Sequence, residues 1–198
     1  MSSVAQTVPT RIIQGIEAPV PGTWEIDPNH TNIGFVARYL MVTKVRGHFT
    51  KFSGAIHVAE RPEESSAELT IDAASIDTNQ PDRDNHFRSP DFLDVEHYST
   101  ITYKTTKVEL TGANTLKVTG DLTIRDVTRP VVLDVEFEGV TKDAYGKSRA
   151  AFSATGEIDR TEFGASWNMV LETGGFLVSK EIKLELDVLA TLAQVEVP

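Results

Sequence analysis

The chain has 198 residues and no cysteine, and its 19 basic and 29 acidic side chains give a formal net charge of -10. That length favours one domain whose core stands without staples, and the missing thiols remove disulfides, thiolate metal sites and cysteine nucleophiles. The acidic balance argues against counterion-release binding to nucleic acid or to an anionic membrane surface, and no run reaches the roughly 18 apolar residues that a membrane helix needs.

In chain order, residues 1–22 carry Pro9, Pro19, Pro21 and Gly22 and read as an N-terminal tail or strap leading into a single domain over 23–192, with 193–198 as a C-terminal tail. Met1 to Arg11 lacks the basic leader and apolar core of a secretory signal, so with Met1 as the native start the expected location is cytoplasmic. From Trp24 onward apolar and polar residues alternate, which marks strands with one buried and one wet face. The first stripe is Ile33, Phe35, Ala37 and Tyr39, followed by Ile56 and Val58, then Leu69, Ile71 and Ala73. Ile101 and Tyr103, then Leu116 to Ile124, continue the pattern. Val131, Leu133, Val135 and Phe137 oppose Asp134, Glu136 and Glu138, and similar stripes run through Phe152 to Ile158 and Ile182 to Val188. About eight strands result, several of ten residues or more, joined by turns such as Thr111 to Asn114 and Lys142 to Gly146. The expected fold is all-β, an eight-stranded antiparallel barrel whose interior is either filled by side chains or holds one small ligand.

Between these strands, Gln80 to Asp94 alternates acids and bases around a histidine. Pro81 suits a first helical position and Pro90 stops a helix near Ser89, so a short helix is predicted here. Asp84 and Arg88 stand four apart, as do Asp82 and His86, in the favourable order for helix pairs, and would make a polar latch.

The order His30-Thr-Asn-Ile-Gly-Phe35, Arg46-Gly-His-Phe-Thr-Lys-Phe-Ser-Gly54, Arg83-Asp-Asn-His-Phe-Arg-Ser-Pro-Asp-Phe-Leu-Asp94, Gly120-Asp-Leu-Thr-Ile-Arg-Asp-Val-Thr-Arg-Pro-Val132 and Phe163-Gly resembles the YceI family of bacterial lipid-binding proteins over residues 23 to 192. The resemblance implies an extended lipocalin-like barrel around a long polyisoprenoid, such as the tail of an isoprenoid quinone. Thr31 stands where the family usually has Ser, and Asp126 replaces a usual turn Gly, which Asp tolerates if the backbone there is left-handed. Many relatives carry a secretory signal, and this chain is read as a cytoplasmic branch.

The expected ligand wall is Phe35, Tyr39, Phe49, Phe52, Tyr103, Phe137 and Phe152, with Ile71, Leu133 and Leu184 between them. Trp167 and Met169 either plug one barrel end or line a pocket mouth, and the mouth is preferred. Arg83, Asp84, His86 and Arg88, with His30, are expected to hold the charged segment on the barrel and to meet a polar head group. His30, His48, His57, His86 and His97 show no recognised ligand spacing, so no metal is expected, nor any cofactor beyond a bound isoprenoid lipid or quinone. The partner is a small apolar ligand, held without chemistry; a homodimer is compatible with the sequence. Two alternatives stand beside this reading: a lyase or isomerase using Asp84 and His86 as an acid-base pair, and a filled barrel acting as an interaction module.

Overall fold

Alternation of apolar and polar residues makes a chain that buries one face only by pairing with further strands, and here the pairing closes on itself. The computed structural model describes residues 8–193; residues 1–7 and 194–198, with Met1 and most of the expected C-terminal tail, lie outside the described residues. Thirteen strands occur among the described residues: β1 (Thr10–Ile13), β2 (Ile16–Pro19), β3 (Gly22–Ile26), β4 (Asn32–Tyr39), β5 (Thr43–Phe49), β6 (Phe52–Val58), β7 (Ser66–Asp72), β8 (Ile76–Asp77), β9 (Thr100–Leu110), β10 (Thr115–Ile124), β11 (Val127–Lys142), β12 (Ser148–Asp159) and β13 (Glu181–Leu192). One α-helix, α1 (Pro81–Arg88), follows β8.

The barrel has eight staves because three of them are broken. β3 and β4 both run antiparallel to β13, with Ile26 opposite Ala190 and Phe35 opposite Leu184, so they are halves of one stave. At the break the Thr31 hydroxyl accepts from the Leu189 N–H at 3.0 Å and faces the Leu189 carbonyl at 3.3 Å, replacing ladder bonds that the irregular backbone loses. β5 and β6 form a second stave bent at Thr50 and Lys51, and β7 and β8 a third, interrupted by the 3-10 turn Ala73–Ser75. β9 to β12 are uninterrupted, and β12 pairs with β13 along its whole length to close the ring.

Two apolar clusters follow one another inside. One surrounds the fully buried Trp24 with Phe137, Ala150 and Ala190; the other joins Ile33, Ile71, Ile101, Leu122 and Val131 to the buried Phe163. Within the segment expected as a tail or strap, β1 and β2 pair as a hairpin turning on Gln14 and Gly15, both at positive φ. This is the geometry of a two-residue turn whose twist matches its strands.

Candidate functional site

The inward stripes do not meet at the centre. They enclose two chambers of about 220 and 200 Å3, counted as space open to the centre of a water-sized sphere. One water needs only roughly 10–15 Å3 on that measure. Ile33, Leu69, Tyr103, Leu133 and Leu186 line both, so the chambers share a waist. The first is walled by β9 to β12 through Val108, Leu116, Phe137 and Phe152, and covered by Ile13, Ile16 and Ala18 of the β1–β2 hairpin. The second is walled by Phe35, Phe49, Ile71 and Leu184, and covered by Phe87, Phe92 and Leu93 from the charged segment.

Glycines make room for the aromatic walls. A Cβ on Gly120 would collide with the Tyr103 ring, and one on Gly47 with the Phe35 ring, so the far end of each ring lies over bare backbone on the neighbouring strand. Burial, then the nearby Asp121 carboxylate, push the Tyr103 phenol up to about 12, so it stays a neutral donor, with its hydroxyl 3.3 Å from the Val118 carbonyl.

The chamber ends are held by arginines gripping backbone carbonyls. At the first, Arg11 donates to the carbonyls of Ala59 (2.6 Å), Glu60 (2.7 Å) and Pro19 (3.0 Å), tying the hairpin to the β6–β7 turn. At the second, Arg88 donates to Ala74 O (2.8 Å) and Ile76 O (2.9 Å), and Arg83 to Thr78 O (2.7 Å) and Thr78 Oγ1 (2.8 Å). Buried Asp84 accepts from the Thr78 N–H at 2.9 Å and from its hydroxyl at 2.5 Å. Arg125, between β10 and β11, reaches the carbonyls of Pro90 (3.2 Å), Phe92 (3.2 Å) and Gly164 (2.9 Å). Arg160, buried and lining the second chamber, donates to Ser179 O (2.8 Å) and Ala165 O, with its guanidinium over the Phe92 ring. Burial pulls this guanidinium below its ordinary value.

Of the expected wall, Phe35, Phe49, Ile71, Tyr103, Leu133, Phe137, Phe152 and Leu184 line a chamber. Tyr39 and Met169 are exposed instead, Tyr39 as the last residue of β4 at the barrel rim and Met169 outside the strands, and Phe52 packs against the apolar cluster beside the stave bend. Trp167 stacks edge-on against His86 (4.6 Å) and near Phe92 (5.6 Å), outside the chambers' linings. The latch differs from its expected pairing. Asp84 and Arg88 turn away from each other: Arg88 takes the Ala74 carbonyl at the break between β7 and β8 and the Ile76 carbonyl just after it, Asp84 takes the Thr78 N–H just past β8, and His86 Nε2 lies 2.8 Å from Asp91, not from Asp82. Asp84 and His86 thus have separate partners, and neither lines a chamber. His30 belongs to another network: its Nδ1 is 3.0 Å from Asp27, which also accepts from Arg149 at 2.7 Å. The left-handed residue of the β10–β11 turn is Arg125, not Asp126.

The family profile of the YceI-like domain matches residues 24–190. The chain belongs to the YceI family. A UPF0312 protein of Staphylococcus aureus is 37% identical over 161 residues, covering 80% of this chain and 91% of the relative, and one of Vibrio cholerae is 38% identical over 136 residues, covering 68% and 72%. A crystal structure of a Campylobacter jejuni YceI protein is 31% identical at a TM-score of 0.68, covering 79% of this chain and 90% of its own. At lower identity, 13%, a polyisoprenoid binding domain from Saccharophagus degradans shares the fold at a TM-score of 0.63, covering 88% of this chain and all of its own.

Proposed function

We propose that this YceI-family barrel takes up one long isoprenoid, a polyprenol or an isoprenoid quinone, and stores or carries it unchanged along both chambers. The carrying observation is the shared waist: two apolar chambers with five common wall residues suit a single extended chain better than two compact ligands. Burial supplies the affinity. Each CH2 removed from water contributes about 0.8 kcal/mol, less the cost of ordering the chain, so affinity grows with the number of units enclosed. The isoprenoid as ligand class rests on the family resemblance, and the apolar lining supports it.

No proton transfer is assigned, since the acid and imidazole of the charged segment are engaged elsewhere. Organic extraction of the purified native protein, followed by mass spectrometry, tests the reading. Recovery of a near-stoichiometric isoprenoid, or uptake of an added polyprenol, is expected. Protein that extracts clean and takes up nothing would refute it.

A further inference from the structure

One end of the second chamber carries an apolar surface that the barrel does not use. The β4–β5 turn is Leu40-Met41-Val42, and beside it lies the segment 168–177. The two are joined by the Leu40 N–H to Leu177 carbonyl bond (2.8 Å) and by the Tyr39–Val178 bridge. Together they expose Met41 (50%), Val42 (79%), Met169 (56%) and Val170 (76%), with the aromatic rings of Tyr39 and Phe176 at the rim.

Two local rules are broken at this tip. Leu40 and Met41 hold left-handed backbone at φ 53 and 63, where Asn or Gly would be relaxed and polar. Next to them Arg38 sits directly opposite Lys44 across the hairpin, a repulsive cross-strand pair, and neither is in an ion pair among the described residues. Broken rules that cost stability at one place mark a site retained for another reason. Lys180 adds a third cation, 5.6 Å over the Phe176 ring and within electrostatic reach of Asp159, while Lys183 stands opposite Glu157 on β12.

We infer that this tip docks the protein on a lipid bilayer, its apolar turn entering the interface and its cations meeting anionic headgroups. Apolar side chains ringed by aromatic residues and cations are the composition of interfacial anchors. The chain's charge of -10 does not decide the matter, because a membrane meets the charges within a screening length of the contact, and the two residues that flank the apolar turn, Arg38 and Lys44, are basic and in no ion pair among the described residues. The placement has a use: Ala37 and Val178 line the second chamber, and Tyr39 and the turn follow directly, so a bilayer at the tip lies next to the chamber's end. This use rests on the apolar-ligand reading.

Co-sedimentation with phosphatidylcholine vesicles, with and without phosphatidylglycerol, tests the docking, and uptake of a polyprenol from detergent tests the ligand reading separately. The wild-type chain is expected to sediment with both vesicles, more with the anionic ones, and less at high salt. Met41→Ser with Val42→Ser and Val170→Ser should lower partitioning on the order of tenfold, with detergent uptake unchanged. Arg38→Glu with Lys44→Glu, which leaves the turn intact, should remove the anionic preference. Docking is overturned if the wild-type chain binds neither vesicle, if the serine variant partitions like the wild type, or if sedimentation velocity shows a self-association that this variant abolishes without any vesicle binding. The last result would make a second copy the occupant.

Discussion

Replacing Arg125 separates what its side chain grips from what its backbone costs. The guanidinium ties Pro90, Phe92 and Gly164 together over the second chamber while the residue sits at φ 57. Hydrogen bonds from a charged donor are worth about 1.5–3 kcal/mol each. Here one Nη1 with two hydrogens serves three carbonyls at a partly open site, so we expect Arg125→Ala to cost about 2–3 kcal/mol in all. The left-handed conformation costs a side-chain-bearing residue roughly 1–2 kcal/mol, and glycine escapes it. Glycine loses about 0.5–1 kcal/mol through its freer unfolded chain. Arg125→Gly should therefore fall between wild type and Arg125→Ala, about 0.5–1 kcal/mol above alanine. Urea denaturation of the three proteins measures this, and amide exchange of residues 87–95 should quicken in both variants. An alanine variant more stable than the glycine one by about 0.5–1 kcal/mol would show that the turn stores no strain; unchanged exchange would show that Arg125 does not hold the cover.

Phe152→Asp should abolish polyprenol uptake while far-UV circular dichroism stays native, because the side chain faces an open chamber; cooperative loss of the fold would mean a packed core there. Arg11→Ala frees the β1–β2 hairpin from the Ala59 and Glu60 carbonyls and should speed ligand release, read by stopped-flow transfer to vesicles, with a stability loss of about 2–3 kcal/mol. The Lys147 N–H first, and Arg149 as well, hold Asp143 below its usual value of 3.8, and hydrogen bonds from Asn29, His30 and Arg149 do the same for Asp27 against the opposing effect of burial. Folded values below the unfolded ones mean stability that is full above 3.8 and lost as pH falls below it toward the depressed values, so Arg149→Met should flatten the acid limb of a stability-pH curve.

The period of two made the staves legible, but not where a stripe leaves the barrel. Phe35 and Tyr39 belong to one stripe, yet Phe35 lines a chamber and Tyr39 lies at the exposed rim, since alternation reports the face of a strand and not its position along the axis. The covers were hidden for a related reason. Phe87, Phe92 and Leu93 stand among the charges of the predicted latch, and their aromatic character was the available signal that this segment also turns inward. Helix-spacing rules proposed Asp84 with Arg88, whereas the carbonyls of Ala74, in the irregular backbone of Ala73–Ser75, and of Ile76 just after it draw Arg88 away. Arg11, Arg125 and Arg160 grip carbonyls far away in sequence, and nothing in local spacing announces such partners.

The central claim is that one ligand runs through both chambers. Titration with polyprenols of increasing length measures it directly: affinity should rise with each added unit until both chambers are filled, then level off, and Leu133→Trp at the waist should move the plateau to shorter chains. An affinity independent of chain length, or a plateau that the waist substitution leaves in place, would contradict it.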